Sequence, residues 1–403
     1  MKINLIRLSN SLDPNATFKK EDDRFIEDLN NELFEDDIEL VSDDPTNPLS
    51  MILIETGGSE QHFVKIEKDL PRPIILLSTC KNNSLPACLE IKTYLSSKGE
   101  DTILLFGSEK DMAFAIKDVS KILVAKKEID DASLGVIGKP SDWLIASVVD
   151  YKKVKDKFNI NLIDISTSEL KEEIDKGLLD NIPRLEMIKK LAKDDKYLQG
   201  ALEIYSGLKR IIKKYQLKGF TLRCFDLIQE YKNTACLALA MLNDEGIVAT
   251  CEGDVPSMLT MFFIKAISGQ VSFQANPSKI DLKDESILLA HCTIPMNMCK
   301  NIKFMTHFES GLGIGIRGEL DTKEISILKI SPNLRDCLFL EGNIEKNECL
   351  TNYCRTQIRV KFQDDDSLYR FIRDDYGNHV VIAYGNIIPE FLNLLHYYNQ
   401  KEK

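Results

Sequence analysis

The sequence predicts an α/β protein that ends in an antiparallel β part, and three observations predict it. Short apolar strand-like runs alternate with helical stretches through roughly the first 270 residues, the rhythm of a parallel, flavodoxin-like sheet. That rhythm restarts near Leu134, giving two Rossmann/flavodoxin-like α/β domains, residues 1–132 and 133–270. From about residue 270 it gives way to short runs of period two, the pattern of an antiparallel sheet or barrel over 271–403.

In chain order, Met1 to Leu8 reads as a first strand and Asp22 to Phe34 as an acidic helix. Met51 to Glu55 is a second strand running into Thr56-Gly57-Gly58-Ser59-Glu60, and Pro73 to Leu77 a third. A helix with Pro86 in its first turn, a strand at Thr102 to Phe106 and a long helix at Glu109 to Lys127 complete this part. The second part opens with a strand, Leu134 to Ile137, and a polar loop, Gly138-Lys139-Pro140-Ser141-Asp142-Trp143-Leu144. After the strand Asn161 to Ile165, Ser166 and Glu169 have the spacing of a capping box. Leu208, Ile211, Ile212 and Tyr215 form one face of a helix. Gly219 to Phe225 reads as a strand ending at Asp226, and Thr234 to Leu242 as an apolar helix. In the last part the candidate strands are Ile287 to Ala290, Gly313 to Ile316, Ile325 to Ile330, Ile358 to Phe362 and Val380 to Tyr384, followed by an amphipathic helix with Ile388, Phe391, Leu392 and Leu395.

The segment Gly246 to Pro256 carries the chemistry. The run Ile247 to Cys251 ends on Glu252, glycine follows, and Asp254 suits the N-cap of a helix with Pro256 in its first turn. Ligands of open α/β sheets collect at the carboxyl ends of strands, so Glu252 stands where such a fold does chemistry. His291 and His379 also fall at predicted strand tips, as does Asp226. A mixed carboxylate and imidazole set suits Mn²⁺ and also Zn²⁺. His307 is a further candidate, whereas His62 and His396 lie on predicted helices as ordinary structural residues. Arg223 and Arg355 stand beside strand tips, fit either for an anionic or hydroxylated ligand or for a structural ion pair.

Composition narrows the class. A net charge of -11 argues against a nucleic-acid surface. No apolar run reaches the roughly 20 residues of a membrane span. Ten cysteines without a C-x-x-C pair, and no signal peptide, fit free thiols in a reducing cytoplasm.

Taken in order, Thr56 to Glu60, Gly138 to Ile145, Arg223 to Leu227, Cys251 to Asp254, Ser272 to Pro277, Ala290 to Thr293, His307 to Gly311, Cys354 to Gln357 and Gly377 to His379 resemble segments of the L-fucose isomerase and L-arabinose isomerase family, most of all its shorter fucose-isomerase-like branch. The resemblance implies two α/β domains followed by a β-barrel, with a Mn²⁺ site (another divalent cation being possible) between the second and third. It implies aldose–ketose isomerisation of an open-chain sugar through an enediol, and a homo-oligomer, hexameric as in the family or trimeric. The metal set it implies is Glu252, His379, His291 and, where the family has a second carboxylate, Asn276. An amide cannot serve as a base near neutral pH, so either Glu252 works alone as the metal-bound base or Asp226, Asp254 or Glu309 replaces the missing partner. Asp254 joins Glu252 in the expected catalytic set, and Arg223, Asp226, His307, Glu309 and Arg355 are the expected sugar-binding residues. The rival expectation is a sugar-binding or regulatory protein on the same scaffold.

Overall fold

The computed structural model describes residues 1–10, 19–42, 49–193 and 195–400. The chain divides into two compact units, Met1–Val124 and Ala125–Glu402.

The first unit contains β1 (Lys2–Leu8), α1 (Lys19–Leu33), β2 (Glu39–Val41), β3 (Ser50–Ile54), α2 (Glu60–Ile66), β4 (Ile74–Ser78), α3 (Ser84–Ser97), β5 (Thr102–Phe106) and most of α4 (Glu109–Ile129). Its five strands run parallel in the order β2-β1-β3-β4-β5, the winding of flavodoxin-like sheets. Every residue of β3 and β4 is buried, as expected of parallel strands covered on both faces. Successive residues go to opposite faces. Met51, Leu53, Ile75 and Leu77 join a core with Phe25, Leu29 and Ile116. Ile52, Ile54, Ile74 and Leu76 join one with Phe63, Ile91 and Leu95. The acidic run after α1 is a solvated turn in which Asp36 pairs with Lys117.

The second unit begins with β6 (Ser133–Ile137), α5 (Tyr151–Phe158), β7 (Asn161–Ile165), α6 (Thr167–Ile174), α7 (Leu185–Ala192), α8 (Leu198–Tyr215), β8 (Gly219–Leu222), α9 (Phe225–Tyr231), α10 (Cys236–Asp244), β9 (Val248–Cys251) and α11 (Val255–Ser268). The strands form a parallel sheet of order β7-β6-β8-β9. Ser166 caps α6 by accepting from the Glu169 N–H at 3.1 Å, but the Glu169 side chain binds Lys214 and Tyr215, so the capping box is half made. The strand expected to reach Phe225 stops at Leu222. Its last ladder partners are Ile137 and Cys251, and Asp226 falls in the first turn of α9, where an acid is favourable.

The rest is antiparallel: β10 (Phe273–Asp281), β11 (Ser286–His291), β12 (Cys299–Met305), β13 (Gly315–Leu320), β14 (Glu324–Ile330), β15 (Cys337–Asn347), β16 (Thr356–Phe362), α12 (Asp365–Arg373), β17 (Val380–Tyr384) and α13 (Ile388–Gln400). The ladder β10-β11-β16-β15-β14-β17 returns to β10 and closes a barrel. The run expected near Gly313 pairs instead with β12, as a separate two-stranded sheet. Pattern reading passes over β10 because it contains Pro277. A proline removes a ladder donor and is tolerated at a bulge, and the β10–β11 register shifts between Pro277 and Lys279.

α11 joins the parallel sheet to the barrel. Asp254 caps it by accepting from Ser257 N–H at 2.8 Å, and Gly269, at φ 69°, closes it. Every residue from Val255 to Ile264 is buried, and the helix packs on β9, β14 and β17. On the other face a single hydrophobic core runs from Ile137, Phe220 and Ala249 of the sheet, through Leu237 to Leu242 of α10, to Ile287, Ile327 and Ile382 of the barrel. Among the described residues no helix is long and apolar enough to cross a membrane. Ile327→Ala, at that shared core, should destabilise the second unit by about 2–5 kcal/mol. Amide hydrogen exchange should show β8 and β9 losing protection together with β14; loss confined to the barrel would mean that the two sheets unfold separately.

Candidate active site

Strand β9 delivers Glu252 past the edge of the parallel sheet. Glu252 has φ 66° and Gly253 φ 76°, so the chain turns sharply before Asp254 starts α11. A Cβ on residue 253 would lie 2.5 Å from Lys139 O and from Pro140 Cα, so glycine is required by both backbone angle and space. The loop after β6 clasps this turn, with Ser141 N–H donating to Glu252 O at 2.9 Å.

The Glu252 carboxylate is buried and addressed from two sides. Oε2 accepts from the Trp143 indole Nε1–H at 2.6 Å. Oε1 lies 3.7 Å from His291 Nε2 and 3.5 Å from His379 Nε2. His291 is the last residue of β11; His379 directly precedes β17 and has φ 48°. Two of these three groups thus sit on left-handed backbone, which costs a non-glycine residue about 1–3 kcal/mol. Both Nε2 atoms are buried without a hydrogen-bond partner. The carboxylate oxygen and the two ring nitrogens all lie within 4.8 Å of one another. Two orphaned imidazole nitrogens facing one carboxylate oxygen are a donor set that fits a divalent cation.

A buried chain lies behind His379. Its Nδ1 is 2.9 Å from Asp254 Oδ2. Lys329 Nζ donates to both Asp254 oxygens, at 3.1 and 2.8 Å, and to Ser257 Oγ at 2.7 Å. Burial works against charge on Asp254, but Lys329 and His379 outweigh it and hold the carboxyl well below its usual range. An ionised carboxylate can only accept, so His379 carries its hydrogen on Nδ1 and presents a lone pair at Nε2. Burial lowers the His379 pKa, but Asp254 and Glu252 more than compensate and leave it raised. Burial dominates at His291 and lowers its pKa. His291 Nδ1 accepts the Thr293 N–H at 3.3 Å, which in the neutral ring places the hydrogen on Nε2. His291 Nε2 faces Glu252 Oε1 from 3.7 Å, beyond hydrogen-bond reach, and ligating through Nε2 requires its hydrogen to move to Nδ1.

In front of Glu252 lies a cavity of about 490 Å³. Trp143, Phe225, Asn276, His291, His307 and Glu309 line it with Glu252. Asp254 and His379 do not; both are fully buried behind the carboxylate. Among the described residues no lysine or arginine lines it. Arg223 and Asp226 border a second cavity, of about 500 Å³. There Arg223 donates to Asp226 at 3.1 Å, to Asp142 at 3.1 and 2.7 Å and to Pro140 O at 2.8 Å. Arg355 is bound to Thr306 through Nε to the carbonyl, 2.6 Å, and Nη2 to the hydroxyl, 3.3 Å, and its guanidinium lies 5.8 Å from the Phe308 ring centre. The structure thus brings Glu252, His291, His379, Asn276, His307 and Glu309 to one place and puts Arg223 and Asp226 elsewhere. Trp143 and Lys329 escape sequence reading. The one signal for Trp143 is that it is the only tryptophan, next to a strand-end loop; nothing singles out Lys329 within an apolar strand.

No protein-family model matches the chain. Relatives among characterised proteins carry the name of one class of enzyme, the sugar isomerases. The particular name is sulfoquinovose isomerase: that of Priestia aryabhattai is 20% identical over 373 residues, covering 86% of this chain and 84% of the relative, and that of Priestia megaterium gives the same figures. That of Alkalicoccus urumqiensis is 22% identical over 219 residues, 52% of this chain and 49% of the relative.

Lys329→Met leaves Asp254 buried with one partner fewer and should cost about 3–5 kcal/mol in denaturant unfolding. Asp254→Asn keeps a capping oxygen but removes the charge that fixes the His379 tautomer. It should weaken divalent-ion binding about 10–100-fold by calorimetry; unchanged affinity would mean that His379 is not a ligand.

Proposed function

We propose that the chain is a metal-dependent aldose–ketose isomerase that works on an open-chain sugar through an enediol. The observation that carries this reading is the Glu252 carboxylate, flanked by two partnerless imidazole nitrogens and opening onto a cavity of sugar size. The relatives' isomerase names support it independently, and membership of the L-fucose and L-arabinose isomerase family is the narrower form of the same proposal. So are the three-domain division and a homo-oligomeric state.

Glu252, His379, His291 and the Asn276 amide oxygen would hold the ion. A divalent ion there, Mn²⁺ in our reading, supplies Lewis-acid polarisation of the sugar's oxygens. Glu252 takes the proton from C2 and returns it to C1. Both histidines hold its carboxylate well below the usual range against the opposing effect of burial, so it is ready as a base across the neutral range. Trp143 fixes the carboxylate plane through Oε2. Asp254 positions His379 and does not meet the substrate. His307, whose pKa burial pushes down to about 4, is a neutral ring suited to sugar hydroxyls. Arg355 holds the loop that carries His307 and Glu309, and Arg223 holds the Pro140–Asp142 loop.

The cavity also speaks to the substrate. Sulfoquinovose carries a sulfonate, which calls for a cationic partner. Among the described residues the lining has two carboxylates and no lysine or arginine, so we assign an uncharged aldose as the substrate class.

Deuterium incorporation at C2 or C1, followed by NMR with Mn²⁺ in D₂O against a sugar panel that includes sulfoquinovose, tests all of this. Exchange with a neutral aldose, abolished by Glu252→Gln, is expected. Exchange with sulfoquinovose alone would reverse the substrate assignment. Sugar binding without exchange would favour a non-catalytic binding protein, the reading that Asn276 in place of a carboxylate supports. The His379 pKa is raised, so its proton competes with the ion at low pH. Ion affinity should fall by about tenfold per unit as pH drops below that pKa and level off above it.

A further inference from the structure

Resting on the isomerase reading, a second proton-transfer group is needed. Moving a carbonyl from C1 to C2 carries one hydrogen between carbons and another between oxygens. Glu252 serves the carbons; nothing assigned so far serves the oxygens. Three acids and one amide come into question, and the structure separates them. Asp254 is sealed behind His379 and neutralised by Lys329. Asp226 is paired with Arg223 on a different cavity. Asn276 lines the right cavity but its amide has no proton to exchange near neutral pH. Glu309 remains: it lines the cavity with Glu252, it is solvent-exposed, and no salt bridge engages it among the described contacts.

Its loop is built to hold it there. His307 N–H donates to Leu312 O at 2.9 Å and Gly311 N–H to His307 O at 3.0 Å, closing a tight turn with Glu309 at its centre. Ser310 Oγ lies 3.2 Å from His307 Nδ1. The His307 ring packs edge-on to Phe225 at 5.6 Å, and Arg355 pins Thr306 from behind.

We propose that Glu309 is the acid–base partner of Glu252, moving the oxygen-borne proton of the isomerisation. As Glu252 removes the C2 hydrogen, the C2–H electron pair becomes the C1=C2 bond. The carbonyl π pair goes to O1, which takes the Glu309 proton. The Glu309 carboxylate then takes the O2 hydrogen as C2=O2 forms, and C1 recovers the hydrogen held by Glu252. Both carboxyl groups end as they began, and nothing is oxidised or consumed. The surroundings agree with the acid role: partial burial raises the Glu309 pKa, so this carboxyl keeps its proton more readily than a free one.

The test is Glu309→Gln, with Glu309→Asp beside it, in full-length Mn²⁺-loaded protein on a sugar that the wild type turns over. The expected result for the amide is a fall in kcat of about 10²–10⁴-fold, with KM and Mn²⁺ affinity within about threefold of wild type. The alkaline limb of the kcat/KM profile should vanish, and Glu309→Asp should recover part of the rate and the limb. Full kcat with the limb intact, or a rise in KM alone, would overturn the proposal and leave the isomerase reading standing. A wild type that exchanges no deuterium with any sugar would overturn both.

Discussion

The ion pair between Lys329 and Asp254 is the interaction on which the centre depends. Both groups are fully buried, and each is tolerable there only because of the other. Asp254 does three things at once: it caps α11, neutralises a barrel lysine and fixes the hydrogen of His379. The first belongs to the parallel sheet, the second and third to the barrel. The junction of the two sheets and the orientation of the candidate ligand are therefore one construction, and neither can shift without the other.

The two histidines stand in unequal positions around Glu252. His379 is held by an anion that can only accept, so in the neutral ring the hydrogen stays on Nδ1 and the free nitrogen is a lone pair. His291 is held by a backbone donor, so its free nitrogen carries hydrogen until something better arrives. One ring is committed to ligation in advance, and the other is ready to switch from donor to ligand. The charge of Glu252 is meanwhile held by the Trp143 indole N–H through its other oxygen.

Much of the fold was legible because parallel strands covered on both faces are continuous apolar runs, as at Ile74–Leu77 and Leu134–Ile137. Strand β10 was not, since its proline at a bulge breaks the alternation on which pattern reading rests. Glu252, His291 and His379 were legible as chemistry-bearing residues at strand ends. What Asp254 does was half legible: the cap shows in the local sequence, but Lys329 lies 75 residues and His379 125 residues further on, and only the fold supplies them. For Arg223 and Asp226 the fold selects the ion pair, one of the two roles that the sequence leaves open for the arginine. They follow a strand of the right sheet, but the strand ends three residues early and their side chains satisfy one another.

The bond from the indole of Trp143 to Glu252 has a practical side. It joins the sole tryptophan of the chain to the carboxylate at the heart of the cavity. Half of that indole's residue surface is open to solvent, at 51%, while its N–H is spent on a buried charge. Anything that draws on the charge of Glu252 changes the polarity felt by the ring. The protein carries its own optical reporter at the centre, with no second tryptophan to dilute the signal.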